Sequence, residues 1–388
     1  MDFGFSEDQL AIRDAIQKLC ADFDDDYWLR MDNEGGPASD FISAFAEGGW
    51  LGIAMPEEYG GSGLGMTEAA LMMQTVAGCG GALAASSSIH LNIFGPNPVV
   101  VFGTEEQKAR MLPPLITGKE NTCFGVTEPN SGLDTSSIET RAELRGDTYV
   151  VNGRKVFTSN AQNADKILLL TRTVAKDQVA KPTDGLSLFY TDLNRDYVEI
   201  REIDKMGRKA VDTNALFIDN LPVPVADRIG EDGKGFQYLL HGLNPERIIG
   251  AAVGVGIGRR ALQRAVDYAN ERVVFNRPIG MNQAIQHPLA DAWAQLEAAN
   301  LMAFRAAHLY DDGQPCGAEA NAAKYLASEA AFTACERAVM THGGMGYAKE
   351  YHVERYMREV FALRIAPVSR EMILNFISER VLGLPRSY

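Results

Sequence analysis

The sequence predicts an α+β protein of several domains, because its local patterns change twice along the chain. Residues 1–120 place apolar side chains at helical spacing, whereas residues 121–231 form short β-branched and aromatic runs between turn signals. Residues 232–388 return to helical spacing. Strands do not alternate with helices, as they do in a parallel nucleotide-binding sheet. We therefore expect an N-terminal all-helical domain, a middle β domain and a C-terminal helical bundle.

The N-terminal domain opens with a helix-start signal. Ser6 precedes two acidic residues and a run of apolar side chains at helical spacing, which is the pattern of a capped helix. Further helices are expected around residues 40–50, 66–92 and 105–117, and Thr104 is in position to cap the last of them. Glycine-rich stretches separate these segments.

Extended segments make up the middle domain, and the clearest cover residues 148–160, 165–173 and 186–192. Asn152-Gly153 is the strongest hairpin signal, because both residues tolerate the positive φ angles of a tight turn. Residues 221–236 are rich in proline and glycine and suit a linker to the next domain.

The C-terminal domain contains four segments with helical periodicity, and four helices favour a bundle. They cover residues 235–244, 245–275, 282–312 and 318–344. The stretch GGMGY (343–347) interrupts the last segment. From the residues alone it is a helix stop, although its glycines would also let the backbone approach a flat ligand closely.

Charge and cysteine usage exclude several classes of protein. The 388 residues include 37 Lys and Arg against 51 Asp and Glu, and the net charge of -14 argues against nucleic-acid binding. The five cysteines are scattered, so we expect no disulfide framework or zinc knuckle, and a reducing, cytoplasmic location. We expect no signal peptide and no apolar run of about 18 residues that would span a membrane.

Metal and hydrolase sites are not predicted. His287 and Asp291 stand at i, i+4 spacing without a third ligand nearby, and no serine occurs in a GxSxG motif. The most informative stretch is CFGVTEPNSGLDTSSIETRA (123–142), where hydroxyl and amide side chains crowd a proline and a glycine. Turn chemistry alone accounts for such a composition, and the excess of hydroxyls beside an apolar lead-in also suits a polar-edged aromatic ligand.

Within that stretch, TEPNSGLD (127–134) resembles the flavin loop of the acyl-CoA dehydrogenase family, TEPxxGSD. The likeness continues through WLGIAMPEEYGGSGLG, VNGRKVFTSN, RVVFNRPIGMNQAIQHPLAD and HGGMGYAKEYHVERYMRE, and it covers practically the whole chain. It implies an N-terminal helical domain, a middle β-barrel and a C-terminal four-helix bundle. It further implies FAD as cofactor, a homotetramer or dimer of dimers, an acyl-CoA substrate and an electron-transfer flavoprotein as electron acceptor.

The resemblance also implies which residues bind FAD. The flavin loop would contact the ring and the pyrophosphate through Phe124, Val126, Thr127, Gly132 and Leu133. The other flank of the flavin would be lined by Phe157 and Ser159. The neighbouring subunit's FAD and the adenine end would be reached by Arg272, Phe275, Gln283, Gly343, Gly344 and Ser369.

The catalytic base of the family is usually a glutamate late in the chain, and Pro367 occupies that position here. A minority of the family, resembling the isovaleryl- and long-chain enzymes, places the base at the start of a bundle helix. Glu246 in PERIIGAA matches that position. By the same resemblance the substrate would be contacted by Leu133, Asn244, Arg247 and Pro367.

A structural interpretation of this segment stands beside the catalytic one. Asn244 can cap the helix, with Pro245 in its first position and Glu246 complementing the helix dipole. Pro367 has no N–H, so the usual hydrogen bond to the thioester oxygen is lost unless Val368 donates it.

These features favour FAD-dependent α,β-dehydrogenation of an acyl-CoA to its 2,3-enoyl-CoA, with Glu246 as the base. Two departures from the family pattern are Leu133, in place of the loop serine, and Met340, in place of a glutamine. The missing serine at position 133 and the missing N–H at Pro367 motivate the first of two alternatives. One is a flavin oxidase or monooxygenase on the same fold, and the other is a catalytically weak partner that binds FAD or acyl-CoA.

Overall fold

The computed structural model describes residues 4–387 and arranges them as helices, then strands, then helices. The first region contains α1 (Glu7–Cys20), α2 (Asp25–Glu34), α3 (Ser39–Glu47), α4 (Met66–Val76), α5 (Ala82–Phe94), α6 (Asn97–Phe102) and α7 (Glu105–Ile116). This order of secondary structure is the one that the sequence predicts.

Strands form the second region. They are β1 (Thr122–Gly125), β2 (Arg141–Arg145), β3 (Thr148–Ser159), β4 (Lys166–Arg172), β5 (Leu186–Asp192), β6 (Val198–Glu202), β7 (Thr213–Pro224) and β8 (Arg228–Ile229). The third region contains α8 (Gly235–His241), α9 (Leu243–Glu271), β9 (Val273–Val274), β10 (Arg277–Pro278), α10 (Gln283–Asp311), α11 (Gly317–His342), α12 (Val353–Ile365) and α13 (Arg370–Phe376).

Two helix starts form as the sequence predicts. The Ser6 hydroxyl accepts a hydrogen bond from the Gln9 N–H at 3.2 Å, and the Gln9 side chain accepts one from the Ser6 N–H at 3.0 Å. Thr104 and Gln107 make the same reciprocal pair at the start of α7. Each pair satisfies two N–H groups that have no acceptor within the helix.

The apolar segment predicted as one helix over residues 66–92 is divided. A π turn over Ala77–Gly81 separates α4 from α5, and Gly80 in it has a φ of 104° that favours glycine. Contrary to the sequence-based expectation, Met66–Phe102 is long and apolar enough to cross a membrane by length and composition. Its most apolar stretch is 89% buried inside the protein, as in the core helix of a globular domain.

The strands of the second region pair in one mixed sheet in the order β6-β7-β3-β2-β4-β5-β8, with β1 parallel to β4, whereas β9 and β10 form a separate hairpin. Side chains of β4 alternate between two apolar clusters. Ile167 and Leu169 pack on one face, whereas Leu168 and Leu170 pack on the other, against residues of α7 and α8. Since successive residues of a strand point to opposite faces, β4 is buried on both sides.

The hairpin predicted at Asn152-Gly153 is wrong, because both residues lie inside β3. Gly153 instead sits at a register shift between β3 and β7, where a Cβ would come within 2.6 Å of the Thr140 Cα. The turn between β2 and β3 is Gly146-Asp147, and Gly146 has a φ of 68°. Glycine is needed at position 153 for close packing and at position 146 for the turn.

Three long helices, α9, α10 and α11, form the bundle together with α12. The predicted first bundle segment, residues 235–244, contributes only the seven-residue α8 before the chain enters α9. The glycines of GVGIG in α9 face neighbouring helices. A Cβ at Gly256 would lie 2.3 Å from the Gln74 carbonyl oxygen of α4, and one at Gly258 would lie 3.2 Å from the Ala331 Cα of α11. Small residues therefore bring these helices close together.

Candidate active site

A buried ion pair supports the predicted flavin loop. The Glu128 carboxylate accepts hydrogen bonds from the N–H groups of Glu139 at 2.6 Å and Thr140 at 2.9 Å, and from Lys155 Nζ at 2.8 Å. Burial lowers the pKa of Lys155 to about 8, although Glu128 opposes that shift. Burial disfavours ionisation of Glu128, but Lys155 and the two N–H groups hold its pKa below the ordinary value. Glu128 thus anchors the loop and leaves its neighbour Thr127 beside β3.

A bulge in β3 places an aromatic ring next to this loop. The Val156 N–H donates to the Thr127 carbonyl at 2.9 Å, and the pairing of β3 with β7 shifts register between Lys155 and Thr158. Phe157, inside the bulge, has a φ of 58° and a side chain that is 67% exposed. A positive φ is strained for a residue with a Cβ, and such strain is often found at functional sites. The segments that contain Thr127 and Phe157 therefore lie side by side.

Arg208 joins this region to α5, and sequence reasoning missed it. Its guanidinium donates to the hydroxyls of Ser159 at 3.0 Å, Thr213 at 3.1 Å and Ser87 at 3.3 Å. Arg208 stands between β6 and β7 without a local pattern that marks it. The Ser159 hydroxyl, predicted to line the flavin, is already an acceptor for this arginine and remains able to donate.

The remaining loop residues lie partly in the sheet and partly at the surface. Phe124 lies in β1, and the Val126 carbonyl accepts a hydrogen bond from Lys155 Nζ at 3.1 Å. Gly132 and Leu133 are exposed, the latter at 62%. Two of the hydroxyls in this stretch are engaged within the chain, because those of residues 136 and 137 both donate to Asp134 and hold the pKa of its carboxyl below its ordinary value. The hydroxyl of residue 131 is buried and has no hydrogen-bond partner among the described residues.

Glu246 lies in the first turn of α9. The helix begins at Leu243 without a side-chain cap, so the prediction that Asn244 caps it is wrong. The Asn244 side-chain oxygen instead accepts from Arg247 Nη1 at 3.0 Å. Pro245 is the third residue of the helix, where a missing N–H removes no intrahelical hydrogen bond. The Glu246 side chain is 24% exposed, so it lies at a partly open surface and not in a sealed pocket.

An unpredicted histidine contacts that carboxylate. His90 in α5 brings its Nε2 to 3.1 Å from Oε1 and 2.9 Å from Oε2 of Glu246. His90 follows Ser87 by three residues, so both side chains lie on one face of α5. That face therefore connects Arg208 beside the flavin loop with Glu246 in the bundle.

Pro367 lies in the short exposed segment between α12 and α13. Its ring nitrogen has no hydrogen to donate. The N–H of the next residue, Val368, bonds to no acceptor among residues 4–387. Ser369 caps α13 by accepting a hydrogen bond from the Met372 N–H at 3.4 Å.

The residues predicted to reach a neighbouring subunit's FAD lie at one end of the bundle. The rings of Tyr268 in α9 and His342 in α11 stack with their centroids 4.3 Å apart. This contact joins the C-terminal ends of the two helices, which Arg272 and Gly343 follow directly. A Cβ added at Gly344 would meet no described atom within 4 Å, so packing within the chain does not require glycine there. These residues form a second cluster, separate in the chain from the flavin loop.

The β9–β10 hairpin presents its tip to the surface. Phe275 and Asn276 at the tip have φ angles of 52° and 61°, and the Phe275 side chain is 94% exposed. Gln283, the first residue of α10, and Met340, near the end of α11, are also exposed. Within the described part of the chain, no group of three His, Cys, Asp or Glu side chains is arranged to hold a metal ion.

Comparisons with known proteins decide the family. Three family models, described as the N-terminal, middle and C-terminal domains of acyl-CoA dehydrogenase, match residues 6–119, 123–221 and 233–382. The chain belongs to the acyl-CoA dehydrogenase family. A curated relative, acyl-CoA dehydrogenase FadE12 of Mycobacterium tuberculosis, is 38% identical over 396 aligned positions, covering 99% of this chain and 98% of the relative.

Solved structures of this family have the same fold. Butyryl-CoA dehydrogenase from Megasphaera elsdenii superposes with a TM-score of 0.93 and 31% identity, covering 98% of this chain and all of that chain. A chain in the structure described as the electron transferring flavoprotein of Acidaminococcus fermentans has a TM-score of 0.94 and 32% identity over the same shares. The predicted family, fold class and cofactor are confirmed: the chain is an FAD-dependent oxidoreductase that acts on acyl-CoA.

The side chains present fit FAD. The exposed ring of Phe157 and the nearby Thr127 offer an apolar face and a hydroxyl to a flat, polar-edged ring. Arg272 is exposed, which leaves its guanidinium accessible to a pyrophosphate.

Proposed function

We propose that this acyl-CoA dehydrogenase converts an acyl-CoA thioester to its 2,3-enoyl-CoA, with Glu246 removing the α-proton. Thr127, Phe157 and Ser159 would hold FAD, which would supply the hydride acceptor opposite the β-carbon. The observation that carries the proposal is the position of Glu246, a partly exposed carboxylate at the start of α9 opposite α5. Because Pro367 has no acidic group, the position usual for the base in this family is vacant.

A substrate can reach the Glu246 carboxylate. Its side chain is 24% exposed in the structure, so a thioester can lie against it without displacing the core. A carboxylate within hydrogen-bond reach of the α-proton can act as the general base. The proton then resides on a Glu246 oxygen until the product leaves.

The thioester oxygen needs hydrogen-bond donors as negative charge develops on it. Pro367 cannot supply one. The Val368 N–H lies one residue further, has no acceptor among the described residues, and is the donor that we assign to this oxygen. Asn244 and Arg247, adjacent to Glu246 on the first turn of α9, would line the acyl chain, with Leu133 at the flavin side.

The quaternary structure and the electron acceptor belong to the same proposal. Exposed apolar side chains on the hairpin and on α10, such as Phe275 at 94% and Trp293 at 58%, favour burial against further copies of the chain. We propose a homotetramer, a cytoplasmic location and an electron-transfer flavoprotein as acceptor. The similarity to a chain in the Acidaminococcus fermentans structure supports this acceptor.

Anaerobic titration of the FAD-loaded protein tests the reaction. Butyryl-, octanoyl-, isovaleryl- and 3-phenylpropionyl-CoA together sample straight, branched and aromatic acyl groups, and at least one should bleach the flavin absorbance. Glu246→Gln should slow the bleaching by about 10²–10⁴-fold, because it removes the base but keeps the shape. Glu271→Gln, at the exposed end of the same helix, is the matched control and should bleach at the parent rate.

An oxidase is the second candidate, favoured by the missing N–H at Pro367. Rapid reoxidation of the substrate-reduced flavin by air, with peroxide or an oxygenated product, would support it. Tight acyl-CoA binding without bleaching by any substrate of the panel would instead support a binding partner with little activity. Unchanged bleaching by Glu246→Gln would eliminate Glu246 as the base.

A further inference from the structure

His90 is the one described side chain that bonds to the Glu246 carboxylate. A single ring nitrogen, Nε2, contacts both carboxylate oxygens, at 3.1 and 2.9 Å. An ionised carboxylate only accepts hydrogen bonds, so Nε2 carries the hydrogen and donates it. The contact joins α5 to the first turn of α9 across the face on which the proposed base lies.

Local packing restrains the imidazole while leaving the pair accessible. The Phe94 ring, one turn further along α5, lies 5.3 Å from the His90 ring at a tilt of 44°. The residues on either side of this face, Ile89 and Ile93, are buried in the core. Nevertheless the His90 and Glu246 side chains are 23% and 24% exposed, so a ligand can approach the carboxylate without displacing the core.

We propose that His90 is a positioning residue for Glu246, an inference that rests on the proposed role of Glu246 as the base. A carboxylate has about four lone-pair directions. The Nε2–H lies between the two oxygens and occupies the lone pairs that face His90. A lone pair that points away from His90 is left to accept the substrate α-proton. The terminal torsion of glutamate is broad. Without His90 the carboxylate therefore samples more orientations and spends less time in the one that reacts.

A purely structural contact makes a different prediction. If His90 only ties α5 to α9, its loss lowers stability but leaves the rate of flavin reduction unchanged once FAD and substrate are bound. A positioning role predicts that loss of His90 slows flavin reduction at saturating acyl-CoA and changes the affinity for substrate little.

The test compares His90→Gln with His90→Asn in FAD-loaded protein. The glutamine amide nitrogen reaches as far as Nε2 and keeps a donor for Glu246, whereas the asparagine amide stops at the level of Nδ1. Anaerobic stopped-flow reduction is followed with the panel acyl-CoA that bleaches the parent fastest. We expect His90→Asn to lower the limiting rate by about 10–100-fold, with FAD content and half-saturating acyl-CoA unchanged, and His90→Gln to remain close to the parent. Ser88→Ala on the same helix is the control.

The double variant with Glu246→Gln separates this inference from the proposed function. Adding His90→Asn to Glu246→Gln should cause no further slowing, because there is no carboxylate left to position. If flavin reduction is slow in Glu246→Gln but proceeds at the parent rate in His90→Asn, the role of His90 is overturned and that of Glu246 stands. If Glu246→Gln reduces at the parent rate, both are overturned. Should His90→Asn bind too little FAD, His90→Leu replaces it with the same expected outcomes.

Discussion

Replacing Lys155 with methionine tests whether the buried ion pair holds the flavin loop in place. The variant keeps most of the side-chain length but removes the Nζ donor to the Glu128 carboxylate and the Val126 carbonyl. Lys155 is fully buried and Glu128 is 6% exposed, so water cannot replace the lost donor. Glu128 keeps the N–H groups of Glu139 and Thr140 but carries an uncompensated buried charge.

The expected loss of stability follows from this burial. Removing one partner of a buried ion pair costs about 3–5 kcal/mol. The entropy of unfolding is about 2.1 cal/mol/K per residue, or about 0.8 kcal/mol/K for 388 residues. If the chain unfolds as one unit, Lys155→Met should therefore lower the unfolding midpoint by about 4–6 °C. Arg145→Met is the matched control on the neighbouring strand, because Arg145 pairs with Glu143 in solvent and its loss should matter little.

Differential scanning fluorimetry measures the midpoint, and flavin fluorescence measures the affinity for FAD. Lys155→Met should weaken FAD binding as well, because Thr127 lies next to the anchored residue. The double variant Lys155→Met with Glu128→Gln should recover part of the lost stability, since no buried charge is then left unpaired. A midpoint no lower than that of Arg145→Met, with parent affinity for FAD, would refute the reasoning.

Phe157→Gly should leave the FAD-free protein at least as stable, because it relieves the positive φ of an exposed residue, yet weaken FAD binding by about 2- to 10-fold. Unchanged affinity in a fluorescence titration would contradict a ring contact. Burial lowers the pKa of Lys324 to about 7, and the positive charge of Arg247 contributes to the shift. Between pH 7 and pH 10.5 the lysine is neutral in the folded protein but charged in the unfolded chain. The unfolded chain therefore binds more protons, and the free energy of unfolding of the parent rises with pH. Relative to Lys324→Met, the increase should reach up to about 1.4 kcal/mol per pH unit. Urea unfolding at several pH values checks this, and a constant difference would contradict it. Phe275→Asp should reduce the oligomer mass in light scattering, since it places a charge on a 94% exposed apolar tip. A parent mass would exclude the tip from the interface.

Local chemistry explains why two helix starts could be predicted from sequence. The helix starts at Ser6 and Thr104 depend on side chains three residues away, so their capping pairs are encoded locally. The family resemblance implied that Thr127 and Phe157 lie on two flanks of one flavin, and the hydrogen bond from the Val156 N–H to the Thr127 carbonyl holds their segments side by side. The roles assigned to these residues and to Glu246 remain predictions until the variants are measured.

Contacts between distant segments could not be predicted in the same way. Asn152-Gly153 has the composition of a hairpin, but Thr140 packs against Gly153 and keeps both residues inside a long strand. Arg208 lies 49 residues from Ser159, and no local signal marks their hydrogen bond.

The sequence by itself determined the order of helices and strands, because that order depends on residue type and short spacing. The flavin loop and the carboxylate at the start of α9 were predicted through the family resemblance. Only the tertiary structure decided what surrounds that carboxylate. Packing of α5 against α9 brings His90 to Glu246 across 156 residues of chain, and the bulge in β3 turns Phe157 outward. Such contacts arise from the shapes of packed elements, which no single segment contains.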